Sequence, residues 1–436
     1  MSSPVSRRQF LARSSLAWTA GSAVIGATPY FFSSEKSIAA TFQSKNDRPH
    51  LGLIGCGGKG RDNAGHAARF SDIVAVCDVD AKHAAEAHAK QAGGKARIYE
   101  DYRRLLDRED IDVVMIATPD HWHTKITVDA LRAGKDVYCE KPLTLTIDEG
   151  KILCQVVKET GGVLQVGTQQ RSEHGNRFLI AVALAHAGRL GTVRRVECGV
   201  GGGERGGPFQ STTPPKHLNW DLWLGQAPKV PYMKERCHYD FRWWYEYSGG
   251  KMTDWGAHNV DIATWAIQAD RTGPLAIAAT GKHQNIPNGY NTAIEFNVRC
   301  KYRSGAEIII RHDTGYGIRI HGDKGDIYVS RGELKGKPVE ELEDNPLPED
   351  AIIKLCRGMP PGNHFGNFLE CARTRELPIS DVYTHHRALT TCHLANICLR
   401  IGRPLKWNPE TEQIEGDSEA NGWLTREQRK GYEIAG

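Results

Sequence analysis

A lysine, an aspartate and a histidine that stand far apart in this sequence together offer acid-base chemistry. Asp254 and His258 are four positions apart and precede an apolar-periodic stretch, so one helical turn places them on the same face. A carboxylate at that spacing can orient an imidazole that acts as a general acid and base. Lys141 follows a strand-like run in a Glu-Lys-Pro motif, at the sheet edge where open α/β folds bind ligands. These residue types predict general acid-base chemistry at the edge of a sheet.

A glycine-rich loop directly follows another strand-like run and opens a helix-like one. Its sequence is Gly55-Cys56-Gly57-Gly58-Lys59-Gly60. Gly55 permits the tight turn, Gly57 lets backbone amides approach a pyrophosphate, and Gly60 allows the helix to pack closely on the strand. The helix N-terminus adds partial positive charge toward the phosphates. The loop therefore predicts a dinucleotide-binding site that includes Gly58 and Lys59.

An acid follows this loop at the spacing typical of dinucleotide-binding folds. Asp78 ends the second predicted strand, where its carboxylate would hydrogen-bond the ribose diol of the adenosine and repel a 2'-phosphate. This predicts NAD as the cofactor. Lys59 and Arg61 leave NADP as an alternative cofactor, because either cation could pair with its additional phosphate.

Strand-length apolar runs alternate with helix-length segments through the first part of the chain. Strands are predicted over 51–54, 73–77, 113–117, 137–139 and 163–166, and helices over 64–70, 81–91, 125–133 and 147–160. This alternation is typical of an α/β domain with a doubly wound parallel sheet of the Rossmann type, covered by helices on both faces.

After residue 170 the pattern changes to alternating runs separated by turn signals. Helices are predicted over 176–187, 364–373 and 382–401, and strands over 193–199, 276–282, 293–301, 306–312 and 318–321. We expect a second α/β domain with an open, mostly antiparallel sheet. The predicted organisation is a signal over 1–40, a nucleotide-binding domain over 48–170, a second domain over 171–410 and a polar tail over 411–436.

Four motifs in this order resemble the glucose-fructose oxidoreductase and inositol dehydrogenase family, known as Gfo/Idh/MocA. They are the glycine loop, Thr118-Pro119 with His123, Glu140-Lys141-Pro142, and the pair Asp254 and His258. The resemblance covers residues 48–410 and implies a Rossmann domain followed by an α/β substrate domain whose sheet commonly supports a homo-oligomer. It implies that Lys141 is the active-site lysine and that Asp254 and His258 complete the catalytic group. The residues that it implies beside the cofactor are Thr118, Pro119, His123, Glu140 and Lys141.

The resemblance implies hydride transfer at a carbon that bears a hydroxyl group, and this chemistry gives each catalytic side chain a role. We expect His258 to take the hydroxyl proton and Asp254 to hold the imidazole in the required tautomer. Lys141, as a cation, would position the hydroxyl and stabilise alkoxide character. Alternatively, the Lys141 amine is the base if burial lowers its pKa.

Aromatic and polar residues near these motifs suit a carbohydrate. Flat rings interleaved with Asp and Arg between 220 and 245 match the C–H faces and hydroxyls of a sugar, with half of the rings expected in the core. The predicted substrate-side residues are His121, Gln169, Arg171, Arg242, Trp243 and Tyr245. His121 and His123 have no accompanying carboxylate cluster, so we expect no metal site.

The N-terminus predicts export. Arg7-Arg8, followed by Phe10-Leu11, resembles the twin-arginine signal, and a weakly apolar stretch ending in small residues comes after it. We expect the twin-arginine machinery to export the folded protein to the periplasm or beyond. The apolar stretch is short and interrupted, so no stable membrane insertion is expected. The alternative is that the signal is not cleaved and anchors the protein to the membrane.

Composition narrows the class of protein further. The formal net charge of +4 is small and partly lies in the signal, which argues against a nucleic-acid-binding protein. The chain of 436 residues, 40% hydrophobic, is long enough for two domains with their own cores. Its eleven cysteines form no C-x-x-C pairs and several lie in apolar runs, so we expect buried free thiols.

These observations together predict an exported NAD-dependent oxidoreductase acting on a hydroxyl or keto group of a sugar, glycoside or polyol. Outside the cytoplasm, reduced NAD could not exchange with the soluble pool, so we expect a retained cofactor that a second substrate reoxidises. A redox-neutral, NAD-dependent glycoside hydrolase is the alternative, although relatives of that kind depart from the Glu-Lys-Pro motif kept here. A non-catalytic sugar-binding protein would require vestigial Lys141, Asp254 and His258.

Overall fold

The computed structural model describes residues 48–435 of the chain. The signal predicted over 1–40 therefore lies outside the described residues. The described part is built on two β-sheets, each packed against helices, and the predicted α/β class is confirmed.

The first sheet is the predicted Rossmann sheet. Its strands are β1 His50–Ile54, β2 Asp72–Cys77, β3 Arg97–Tyr99, β4 Val113–Ile116, β5 Asp136–Cys139 and β6 Leu164–Val166. All pairs are parallel, in the order β3-β2-β1-β4-β5-β6, which is the doubly wound order of dinucleotide-binding folds. The connecting helices are α1 Gly58–Ala67, α2 Ala81–Lys90, α3 Tyr102–Leu106, α4 Asp120–Arg132 and α5 Ile147–Thr160.

Both faces of this sheet are buried. In β4, Val113 and Met115 belong to one apolar cluster, whereas Val114 and Ile116 belong to another. Because successive side chains of a strand point to opposite faces, each face has its own apolar cover. The continuous apolar run of β4 is the sequence pattern that this double burial requires.

The second sheet is mixed but mostly antiparallel, as predicted. Its strands are β7 Val193–Gly199, β8 Ala276–Lys282, β9 Glu295–Lys301, β10 Glu307–Arg311, β11 Gly317–Gly322, β12 Asp326–Val329, β13 Leu334–Lys335, β14 Leu405–Asn408 and β15 Gln413–Ile414. Their order is β13-β12-β11-β7-β10-β9-β8-β14-β15, and among these described strands only β7 and β10 pair in parallel. Burial alternates along β9, so one face of the sheet packs inward and the other is exposed.

Nine helices of the described chain belong to this second half. They are α6 Arg177–His186, α7 Trp220–Leu224, α8 Lys251–Asp254, α9 Gly256–Ala266, α10 Lys337–Glu340, α11 Ala351–Leu355, α12 His364–Thr374, α13 Val382–Ile401 and α14 Ser418–Gly422. Helix α9 is buried along its whole length and packs between α13 and the strands β7 and β10. This central position fixes α8 and the start of α9 against the first half of the chain.

Helix α12 returns to the Rossmann sheet. The rings of Phe365 and Phe368 lie with their centroids 5.6 and 5.9 Å from that of Tyr138 in β5. The same apolar cluster contains Met115 of β4. One face of the Rossmann sheet is therefore covered partly by a helix that begins 198 positions after the last strand of that sheet ends, from Val166 to His364.

The segment predicted as a polar tail over 411–436 is folded through residue 435. Leu424 and Ile434 are buried, and Arg426 Nε lies 2.9 Å from Glu149 Oε1 in α5. Ion pairs of this kind hold a segment whose polar composition alone resembles a solvated tail.

Eleven free cysteines lie in the described chain, and ten of them are buried. This confirms the predicted free thiols. Across residues 48–435, we find no helix with both the length and the apolar character needed to cross a membrane.

Candidate active site

A cavity of about 770 Å³ lies where the carboxyl ends of the Rossmann strands meet the second half of the chain. The glycine loop and Asp78 line one end. Lys141, Asp254 and His258 line the other end. The topology thus brings the predicted cofactor-binding and catalytic residues to one continuous space.

The glycine loop fits a dinucleotide. A Cβ at Gly60 would lie 1.9 Å from the backbone oxygen of Gly55, so helix α1 packs against the loop only without a side chain there. At Gly57 and Gly58, by contrast, a Cβ would have no atom within 4 Å, because these residues border open space. No described side chain caps the N-terminus of α1, and its first turn contains no acid. Its amides are therefore available to a pyrophosphate.

Asp78 is held by the backbone beside this loop. Its Oδ2 accepts a hydrogen bond from the Cys56 amide at 2.7 Å, and its Oδ1 accepts one from the Asp80 amide at 2.8 Å. Each carboxylate oxygen keeps a further lone pair that could accept a hydroxyl of a ribose.

Lys59 and Arg61, the two cations that left NADP possible as the cofactor, already form ion pairs with acids of the protein. Lys59 Nζ lies 3.0 Å from Asp62 Oδ2, and Arg61 Nη1 lies 3.2 Å from Glu86 Oε2. With these partners and with Asp78 in the ribose position, the site favours NAD.

At the other end, three cations surround one carboxylate. Lys141 Nζ donates to Asp254 Oδ1 at 2.5 Å and to the Asp254 backbone oxygen at 3.1 Å. Arg242 Nη1 donates to Asp254 Oδ2 at 3.2 Å, and Lys251 Nζ lies 3.8 Å from the same oxygen. Burial alone would raise the pKa of the Asp254 carboxyl, but Lys141 and Arg242 outweigh it and hold that pKa below its usual range. Asp254 is therefore ionised and is an anionic partner for the Lys141 side chain.

The predicted hydrogen bond between Asp254 and His258 is absent from the described structure. His258 Nδ1 is buried and has no hydrogen-bond partner among residues 48–435. Two causes account for this. Lys141 and Arg242 are charged donors, which bind a carboxylate more strongly than a neutral imidazole does. In addition, helix α8 ends at Asp254 and α9 begins at Gly256, so the two residues do not share one helix.

His258 is a neutral imidazole in this environment. Burial, and then the positive charges of Lys141 and Arg331, lower the pKa of His258 well below its ordinary value. Near neutral pH one ring nitrogen therefore carries an unshared electron pair that can accept a proton from a bound hydroxyl.

The remaining residues expected beside the cofactor all line the cavity. They are Thr118, Pro119, His123 and Glu140. The ring of His123 lies between two carbonyl oxygens, with Nδ1 2.7 Å from that of Pro142 and Nε2 2.8 Å from that of Thr118. Glu140 Oε1 accepts from Asn63 at 2.7 Å and from Gln169 at 2.9 Å. These contacts fix the cavity wall around Lys141.

Of the six predicted substrate-side residues, Gln169 and Arg242 line the cavity. Arg171 does not: it is buried, and its Nε lies 2.6 Å from Asp261 Oδ2 of α9. The position of Arg171 after β6 suggested the ligand edge, but the side chain turns into the interface with α9. Its contacts are those of a structural ion pair.

His121, Trp243 and Tyr245 also lie outside the residues that line the cavity. His121 is buried, and its Nε2 is 2.9 Å from the Trp223 backbone oxygen. Trp243 is buried in a separate aromatic cluster, and the Tyr245 hydroxyl lies 3.1 Å from His283 Nε2. Because residues of the aromatic segment have no regular period, the sequence could not separate the rings that face the cavity from those that pack behind it.

The structure adds cavity residues that sequence reasoning did not single out as a binding site. Among them are Tyr239, Phe241, Lys251, Trp255 and Arg331. Tyr239 and Phe241 lie in the aromatic segment that the sequence predicts to face a sugar, although neither was named there as a substrate-side residue. Arg331 comes from the turn between β12 and β13, and no motif marks it.

Comparisons with known proteins agree with this architecture. Residues 50–168 match the family described as "Oxidoreductase family, NAD-binding Rossmann fold", and residues 206–434 match "Oxidoreductase family, C-terminal alpha/beta domain", both of the Gfo/Idh/MocA group. The inositol 2-dehydrogenase 2 of Saccharopolyspora erythraea is 25% identical over 311 residues, which cover 69% of this chain and 79% of that protein.

A second relative and a solved structure match in different ways. An alpha-N-acetylgalactosaminidase of Shewanella oneidensis is 33% identical over 126 residues, which are 27% of this chain and only 28% of that enzyme. The WlbA dehydrogenase of Bordetella pertussis, crystallised with NADH and UDP-GlcNAcA, has a TM-score of 0.61 at 20% identity, over 83% of this chain and 99% of that one. It shares the fold of both halves.

Both halves of the chain thus match models of one family, and the cavity lies where these halves meet. The chain belongs to the Gfo/Idh/MocA family of oxidoreductases and carries its NAD-binding Rossmann domain, as its motifs predict.

Proposed function

We propose that this protein is an exported, NAD-dependent oxidoreductase that acts on a hydroxyl or keto group of a sugar, glycoside or polyol. The observation that carries the proposal is the contact of 2.5 Å between Lys141 Nζ and Asp254 Oδ1, beside His258, in the cavity that begins at the glycine loop. The similarity to an inositol dehydrogenase supports a polyol-like substrate.

The chain offers a site for each part of the cofactor. The amides of Gly57 and Gly58 would hold the pyrophosphate, and Asp78 would hold the adenosine ribose. Thr118 and Glu140 would flank the nicotinamide end. Bound NAD would accept hydride from, or as NADH return hydride to, the carbon that bears the reacting oxygen.

The catalytic end would handle the proton and the charge on oxygen. Lys141, held in place by Asp254, would donate a hydrogen bond to the substrate oxygen and stabilise its alkoxide character. His258, neutral near pH 7, would accept the hydroxyl proton at a ring nitrogen. Arg242 and Lys251 would hold the Asp254 carboxylate in place.

The proposed export of the protein favours a cofactor that stays bound throughout the reaction cycle. The twin-arginine-like start of the chain favours loading with NAD before export, because the cofactor pool is cytoplasmic. A second substrate would then reoxidise the bound NADH in the same cavity.

The test is to purify the native protein and to identify any bound nucleotide by mass and absorbance. Matched polyols and sugars are then added one at a time, and the absorbance of the bound cofactor at 340 nm is followed. Reduction by a polyol and reoxidation by a keto sugar would support the proposal. Unchanged absorbance with a loaded site across the panel would contradict it.

A redox-neutral glycoside hydrolase is a second candidate. The similarity to the Shewanella galactosaminidase favours it, although that similarity covers only 28% of the enzyme. Incubation with nitrophenyl glycosides without added NAD separates the two candidates. Release of nitrophenol supports a hydrolase, whereas a keto-sugar product supports the oxidoreductase.

A further inference from the structure

Arg331 is an unpaired cation in the wall of the cavity. Its guanidinium carbon lies 4.7 Å from the ring centre of Trp255. Its Nε is buried without a hydrogen-bond partner, and no acid among residues 48–435 forms an ion pair with the guanidinium. The residue is only partly buried, and Nε is its guanidinium nitrogen that is both buried and without a partner. Leaving such an N–H donor unsatisfied is costly. A ligand that accepts a hydrogen bond from it would remove that cost.

Arg331 faces the reacting end of the cavity. The positive charge of Arg331 is among the causes that lower the pKa of His258. The carboxylates of Glu140 and Asp254 in turn interact electrostatically with Arg331. Trp255, on which it packs, directly follows Asp254. A group bound by Arg331 would therefore lie beside the catalytic lysine and histidine.

The charges at this end do not balance. Lys141, Arg242 and Lys251 share the single carboxylate of Asp254, and Arg331 adds a fourth cation. Glu140 contributes a further carboxylate, but it is already bound by Asn63 and Gln169.

A third carboxyl at this end of the cavity, Asp120, does not close the difference. Burial raises the pKa of Asp120 to about 6, and its carboxyl accepts a hydrogen bond from Ser248. Even with Asp120 ionised, these four cations face three carboxylates, so the catalytic end of the cavity presents more positive than negative charge to a substrate.

We propose that Arg331 binds a carboxylate of the substrate, so that the sugar or polyol oxidised or reduced here is an acid such as a uronate or an aldonate. The proposal rests on the proposed function. The planar fork of a guanidinium matches a carboxylate through two parallel hydrogen bonds, which would orient the sugar ring. The hydroxyl to be oxidised would then face Lys141 and His258.

A phosphate of the cofactor is the competing anion, because Arg331 also borders a smaller cavity beside Lys59. We favour the substrate carboxylate for two reasons. The glycine loop and the uncapped N-terminus of α1 already form a phosphate site. The stacking of Arg331 on Trp255 directs it to the catalytic end instead.

Binding experiments on the cofactor-loaded protein test this assignment. D-Glucuronate is compared with D-glucose, and D-galacturonate with D-galactose, by calorimetry for the wild type, Arg331→Gln and Arg331→Lys. The control is Arg319→Gln, since Arg319 is an exposed arginine that also lies over an aromatic ring, that of Tyr328. NADH affinity and the thermal midpoint are measured for every variant.

We expect an acid to bind the wild type at least tenfold more tightly than its neutral counterpart, as a charged hydrogen-bonded pair implies. Arg331→Gln should remove this preference, Arg331→Lys should keep part of it, and Arg319→Gln should keep all of it. NADH affinity should stay within about twofold in each variant. Equal binding of acids and neutral sugars by the wild type would overturn the proposal, as would a loss confined to NADH affinity in Arg331→Gln.

Failure of the proposed function gives a different result. If acids bind through Arg331 but the bound cofactor never changes its redox state, the oxidoreductase assignment fails and the carboxylate site stands. If the acids and their neutral counterparts are turned over equally well, by the wild type and by Arg331→Gln alike, the oxidoreductase assignment stands and the carboxylate site is overturned.

Discussion

Lys141 and Asp254 are 113 positions apart in the chain, yet Lys141 Nζ lies 2.5 Å from Asp254 Oδ1. Lys141 follows β5 of the Rossmann sheet, and Asp254 ends α8 in the second half. Each side chain is largely buried, with 16% and 12% of its surface exposed. The proposed catalytic group therefore exists only when both halves of the chain are folded and in contact.

Removing the lysine from this pair should abolish turnover without removing the cofactor. We expect Lys141→Met to lower kcat by about 10²–10³-fold, because the charged donor to the substrate oxygen is lost. NADH affinity, measured by fluorescence titration, should change little. Lys354→Met, at an exposed lysine of α11, is the matched control and should retain full activity. Full turnover by Lys141→Met would exclude this lysine from the chemistry.

The low pKa of His258 predicts a particular pH dependence. Because burial keeps the imidazole neutral, its protonation state does not change between pH 6 and pH 8. A plot of kcat/KM for alcohol oxidation should therefore show no inflection from this residue in that range. His258→Ala should lose at least about tenfold in kcat, as removal of a general base does. Wild-type turnover in His258→Ala, with none in Lys141→Ala, would instead identify the lysine as the base.

The fold could be predicted from the sequence because the strongest patterns of the sequence are local. Apolar runs such as β4 and the glycine loop specify a parallel sheet and its ligand edge without any distant contact. Strand β3 was not predicted, because this edge strand has only three residues and its Ile98 is 47% exposed. A short, exposed strand leaves no apolar period to detect.

The site was predictable only in part, because side-chain partners depend on distant residues. The spacing of Asp254 and His258 suggested a direct pair, but the preferred partner of Asp254 is Lys141, from the other half of the chain. Arg171 follows a strand at the ligand edge and nevertheless turns toward Asp261. Spacing along the chain contains no information about such competition between partners.

The Arg171 contact leads to a prediction about stability. Arg171 and Asp261 form an ion pair in which both side chains are nearly inaccessible. Arg171→Met would leave the Asp261 carboxylate buried and uncompensated, at a cost of about 3–5 kcal/mol in the free energy of unfolding. Urea unfolding measures this cost, with the exposed Arg194→Met as control. The KM of the folded fraction should be unchanged. A rise in KM without a loss of stability would instead show that Arg171 contacts the substrate.

Buried histidines should make the protein sensitive to acid. Burial lowers the pKa of His121, His385 and His393 to about 3. The unfolded chain, with histidine pKa values of about 6.5, binds more protons than the native state between these limits. The free energy of unfolding should therefore fall as the pH falls below about 6.5, by about 1.4 kcal/mol per pH unit for each such histidine.

Urea unfolding at pH 7, 6 and 5 measures this slope. Replacing one buried histidine, as in His385→Gln, should make the slope shallower by up to one proton. The matched control is the exposed His66→Gln, which should leave the slope unchanged. A free energy of unfolding that does not vary over this range would mean that these histidines are already protonated in the native protein.

The glycine loop allows packing and ligand binding to be separated by two variants of the same chemical change. A Cβ at Gly60 would overlap the backbone oxygen of Gly55, so Gly60→Ala should lower the thermal midpoint even without nucleotide. At Gly57 the backbone is extended, with φ −66°, and the new methyl would meet no protein atom within 4 Å. Gly57→Ala should therefore leave the thermal midpoint of the nucleotide-free protein unchanged and weaken NADH binding at least about tenfold, because the methyl occupies the space for the pyrophosphate. Unweakened NADH binding by a folded Gly57→Ala protein would place the phosphates elsewhere.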